Sequence, residues 1–185
     1  MKKLTVNEKI ELASDTSMPP ETLAELANNS EYVRWLVAKN TSTPTEVLVK
    51  LATDDSGIVK CAVAQNISTP PETLAELAKD ENFEIRCAVA KNTSAPAGIL
   101  AELAKEEDFD VKCEVSKNTS ASAEILAELA KEEEKSIRFN VAKNTSAPAE
   151  ILAKLAEEED FDVKCEVAKN TSASVETLDK LADIS

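Results

Sequence analysis

The chain has 185 residues, 43% apolar and 30% charged, the balance of a folded soluble protein rather than a disordered one. It carries a net charge of −14, no His and only 2 Gly. The missing His excludes Ser-His-Asp and Cys-His catalysis and His-ligated metals. Two Gly cannot supply a phosphate loop or a Rossmann turn, and the acidity argues against nucleic acid and anionic membranes as partners.

At the N-terminus Lys2 and Lys3 are followed by no apolar run long enough for a signal peptide, and no stretch approaches a membrane span; a cytoplasmic protein is expected. Residues 1–31 read as an N-terminal cap or partial repeat, with the block MPPETLAELA at 18–27. From there one pattern recurs every 26 residues, with segments such as VRWLVAKN beginning at Val33, Val59, Ile85, Val111, Ile137 and Val163. This divides the chain into full repeats 32–57, 58–83, 84–109, 110–135 and 136–161 and a C-terminal repeat 162–185, all within one solenoid domain, 1–185. Alternate repeats are more alike than neighbours, as duplication of a two-repeat block would leave them.

Each repeat is expected to hold two helices. The second block, with Leu74, Leu77 and Ala78 at i, i+3 and i+4, predicts a helix of about 10–12 residues. Thr43-Pro44-Thr45-Glu46 and Thr69-Pro70-Pro71-Glu72 read as N-cap, N1 proline and N3 glutamate, with Ser94 as the cap where Thr becomes Ala. The first block, with Val59 and Val63 at i, i+4, predicts one or two turns of α- or 3₁₀-helix. Val59-x-Cys61-x-Val63-x-x-Asn66 also alternates with period two, as the strand of an ordinary leucine-rich repeat does, but the polar Glu84, Asp110 and Asp162 at the leading site speak against a buried strand. Asn28, Asn40, Asn66, Asn92, Asn118, Asn144 and Asn170 form Asn-x-Ser sequons and read as polar turns.

The pattern carried by Val33, Arg34, Val37, Ala38, Asn40, Pro44, Glu46, Leu48, Leu51, Ala52 and their equivalents resembles the leucine-rich repeat variant family over nearly the whole chain. The resemblance implies an all-α, right-handed superhelical solenoid, near the armadillo and HEAT solenoids in style, each repeat pairing a longer α-helix with a short α- or 3₁₀-helix. A member of that family carries an iron–sulfur cluster on N-terminal cysteines. Residues 1–31 here contain no Cys, so the cluster does not carry over and no cofactor is expected.

Cys61, Cys87, Cys113 and Cys165 share one repeat position with Trp35 and Phe139. Neighbouring repeats would hold them ~8–10 Å apart, too far for a disulfide or a four-sulfur site, so buried structural thiols are expected. Phe83, Phe109 and Phe161 are expected to plug gaps between turns. The acidic runs at 106–108, 132–134 and 157–160 would oppose helix dipoles and read as a solvated face.

Candidate partner-binding positions are the cation file Arg34, Lys60, Arg86, Lys112, Arg138 and Lys164, which competes with internal pairing to the carboxylates. The aromatic concentration Tyr32, Trp35 and Leu36, and the variable positions Glu114, Asn140 and Glu166, complete the set. Catalytic and metal-ligating residues: none is expected. The reading is a non-catalytic interaction scaffold for a protein or peptide, monomeric or weakly associated end to end. The alternatives are a redox- or metal-linked accessory protein by family analogy, and an ordinary leucine-rich-repeat binding protein.

Overall fold

A computed structural model describes residues 4–182. Among these residues the chain is all-α, without strands. In order the helices are α1 (Val6–Ser14), α2 (Pro20–Leu26), α3 (Glu31–Lys39), α4 (Thr45–Leu51), α5 (Gly57–Gln65), α6 (Pro71–Leu77), α7 (Phe83–Lys91), α8 (Ala97–Leu103), α9 (Phe109–Lys117), α10 (Ala123–Leu129), α11 (Lys135–Lys143), α12 (Ala149–Ala156), α13 (Phe161–Lys169) and α14 (Val175–Ala182). The residues group into two compact units divided between Ala95 and Pro96.

In both units the odd-numbered helices stack side by side, and the even-numbered helices pack against them. In the first unit α3 lies between α1 and α5, and α5 packs on α7; in the second α11 lies between α9 and α13. The core is the repeated apolar spacing of the sequence: Val33 and Val37 on α3, Leu48 and Leu51 on α4, Val59 and Val63 on α5, Leu74 and Leu77 on α6, all buried. A helix of seven or nine residues is marginal alone, so this burial, at about 1.5–3 kcal/mol per large side chain, is what holds each one.

Helix lengths invert the expectation. The first block forms nine-residue α-helices and the second forms helices of seven or eight residues, with no 3₁₀ segment in the described residues. Prolines set the start of the short helices: Pro44, Pro70, Pro96 and Pro148 stand at the N-cap with φ near −60°, and none is capped by a side chain. The capping boxes read at Thr43 and Thr69 do not form. These hydroxyls are buried and donate to the carbonyls of Val37 and Val63, both at 2.6 Å. Where Ser replaces Pro, at Ser122 and Ser174, the serine accepts from the N3 amide as a normal cap. Thr5 and Glu8 form a full capping box on α1.

The sequon asparagines are not merely polar turns. Asn66 is 4% exposed, and its Nδ2 donates to the carbonyls of Ala38 (2.7 Å) and Asn40 (3.0 Å), while its Oδ1 accepts from the Ser68 amide (2.9 Å). Asn40 and Asn92 repeat this in the first unit, Asn144 and Asn170 in the second. Each asparagine thus satisfies two buried carbonyls of the preceding repeat. Ala38, Ala64 and Ala142, all fully buried, allow the close approach this needs. No described residue has positive φ, which is why a chain with 2 Gly can close every turn.

Candidate interaction surface

On each nine-residue helix the second, fifth, sixth and ninth residues share one face. On α3 these are Tyr32, Trp35, Leu36 and Lys39; on α5, Ile58, Cys61, Ala62 and Gln65. Tyr32 is 54% and Ile58 62% exposed, while Trp35 and Leu36 are half-buried. The Tyr32 and Trp35 rings stack with centroids 5.4 Å apart, and the Lys39 ammonium lies 4.6 Å from the Trp35 centroid. Glu31, Tyr32, Trp35 and Ile58 enclose a mostly apolar surface cavity of ≈ 380 Å³. Ile58 was not among the sequence candidates. Only the side-by-side placement of α3 and α5 brings it against the aromatic pair.

The same face in the second unit is built differently. Glu114 pairs with Lys117 at 3.0 Å and Glu166 with Lys169 at 2.7 Å, and both glutamates are half-buried. Asn140, Phe139, Cys113 and Phe109 line a groove of ≈ 500 Å³ whose walls mix apolar side chains with charged ones such as Asp110 and Lys135.

The cation file is engaged within the chain. Arg34 holds Asp54 through two bonds (2.6 and 2.9 Å), and Lys60–Asp80, Lys112–Glu132 and Arg138–Glu158 repeat the pairing twenty residues on. Arg34, Arg86 and Arg138 also donate to loop carbonyls, among them those of Asn29, Asp80 and Glu132. Lys164 is half-buried, and the residue twenty positions on lies outside the described residues. Arg34 holds the Asp54 carboxyl below its ordinary range, and Lys60 does the same to Asp80. The acidic runs are therefore not simply a solvated face opposing helix dipoles. They supply the counterions of this file, and Asp108 and Asp160 cap the next helix, accepting from two amides each.

Cys87 and Cys113 are buried and Cys61 and Cys165 half-buried, and none of the four is in a disulfide. Burial pushes the Cys61 and Cys113 thiols up, away from the reactive thiolate. Phe83, Phe109 and Phe161 are not plugs: they are 43%, 44% and 76% exposed. No helix among the described residues is long and apolar enough to cross a membrane.

No protein-family model matches the chain, and no curated protein matches it. Among solved structures, one described as a leucine-rich repeat variant with a novel repetitive structural motif aligns at 26% identity. The alignment covers 93% of this chain and 73% of that one, with a TM-score of 0.62. The resemblance to the leucine-rich repeat variant family holds in three dimensions. Two engineered proteins align at 20% identity and TM-score 0.48; they cover 96% and 93% of this chain, and 98% and 62% of their own. From repeat to repeat of this chain the outward helix positions vary while the ladder asparagine and the core spacing recur.

Proposed function

We propose that this leucine-rich repeat variant is a non-catalytic interaction scaffold that binds a protein or peptide on the outward face of α3 and α5. The observation that carries the reading is the cavity of Tyr32, Trp35 and Ile58, where two large apolar side chains stand more than half exposed beside the chain's single Trp. Exposed aromatic and aliphatic groups around a half-buried Trp are what interface hot spots are made of. Glu114, Asn140 and Glu166 occupy the equivalent face of α9, α11 and α13 and serve as partner-selecting contacts. The cation file takes a mainly structural part, since Arg34, Lys60, Lys112 and Arg138 already hold carboxylates. The raised Cys61 and Cys113 thiols favour this reading over a redox accessory role.

The test is capture from native lysate with the wild-type chain and with Ile58→Glu, a change at an exposed position that leaves the core alone. Loss of specific partners in the variant, at unchanged circular dichroism, is the expected outcome. Identical partner sets would overturn the reading.

A further inference from the structure

The cavity on α3 and α5 carries a chemical signature beyond apolarity. Its apolar walls are Tyr32, Trp35 and Ile58, and its one charged member is Glu31. Glu31 accepts a hydrogen bond from the Ser56 hydroxyl at Oε1, and among the described residues no cation pairs with it. The nearest cation along the helix, Arg34, is committed to Asp54 and to the Asn29 carbonyl. A carboxylate with one oxygen still unbonded therefore stands at the rim of an aromatic cavity. The aromatic pair already holds a cation on one side, because the Lys39 ammonium sits over Trp35. One repeat further in the same unit, Glu84 takes the helix position of Tyr32 and Ile58, is exposed, and likewise has no cation partner among the described residues. The row Tyr32, Ile58, Glu84 thus runs from an aromatic cavity to a second carboxylate.

We propose, resting on the reading above, that the partner is a basic, extended peptide segment and that the Glu31–Tyr32–Trp35–Ile58 cavity takes an arginine side chain from it. With the Lys39 ammonium and the Tyr32 ring already on Trp35, the planar guanidinium stacks on the exposed Tyr32 ring and donates to Glu31, while the aliphatic stem lies along Ile58. A following cation meets Glu84. The net charge of −14 draws such a segment in from a distance.

The single Trp is the reporter. The intact chain is titrated with three soluble peptides made of four copies of Gly-Ser-Arg, Gly-Ser-Leu or Gly-Ser-Glu, and Trp35 emission is followed. The arginine peptide is expected to act at about tenfold lower concentration than the leucine peptide. Glu31→Gln is expected to remove most of that advantage, and Glu133→Gln, on a remote acidic loop, to leave it. If the leucine or glutamate peptide binds as well as the arginine peptide or better, the basic-segment inference falls and the docking face stands. If Glu133→Gln weakens the arginine peptide as much as Glu31→Gln does, the attraction is that of the whole acidic chain, and the inference falls. If none of the three peptides perturbs Trp35, the docking face falls with it.

Discussion

Asn66 makes three hydrogen bonds from a position that is 4% exposed, two of them to carbonyls of the preceding repeat. Asn66→Ala strands both acceptors, and a loss of about 2–4 kcal/mol in urea unfolding is expected, since each unsatisfied buried group costs roughly 1–3 kcal/mol. Asn66→Asp should cost more, because it sets a carboxylate against those carbonyls; a smaller loss than for Ala would contradict the ladder. Asp54 gives a second prediction at this scale. Its carboxyl lies below its ordinary value of 3.8 because Arg34 bonds it, so its contribution is complete above that value and disappears as pH falls through the depressed folded value. Stability measured from about pH 5 downward should therefore fall less steeply in Asp54→Asn than in the wild type; parallel curves would show that the pair adds nothing.

Helix by helix, Gly98 stands where Glu46, Glu72, Glu124 and Glu150 stand in other short helices. A Cβ there meets nothing within 4 Å, and α8 gains only a less flexible unfolded chain. Gly98→Ala is expected to raise the urea midpoint by an amount worth about 0.4–1 kcal/mol, and no gain would mean that the start of α8 is not formed as described. The elements were legible where one side chain decides one thing. Val33 with Val37, and Leu48 with Leu51, mark buried faces by spacing alone. They were illegible where a residue answers to a neighbouring repeat. Thr43 has the sequence of a cap, but burial turns its hydroxyl to the Val37 carbonyl. Asn40 has the sequence of a turn, but the carbonyls of Ala13 and Asp15 recruit it. The nine-residue helices looked shorter than they are because cations, cysteines and exposed aromatics interrupt their apolar pattern. In the candidate site the rarity of Tyr32 and Trp35 was visible, whereas Ile58 becomes part of it only through packing.

For the whole molecule, repetition makes the chain divisible in steps of 26. Removing residues 58–83 joins Gly57 to Glu84, two consecutive positions of the repeat, so each remaining residue keeps an equivalent neighbour. The shortened chain is expected to keep its helicity per residue, and its denaturant slope to fall by roughly one seventh, the share of chain removed. Loss of helicity would show that the repeats are not interchangeable. Among the described residues the backbone has no positive φ, and this bears on how such a chain changes over time. No turn among them depends on a residue lacking a side chain, so loop substitutions away from the prolines and the asparagine ladder need no left-handed backbone. Outward positions can drift, exchange charge for aromatic bulk and acquire new specificities while the scaffold beneath them stays the same.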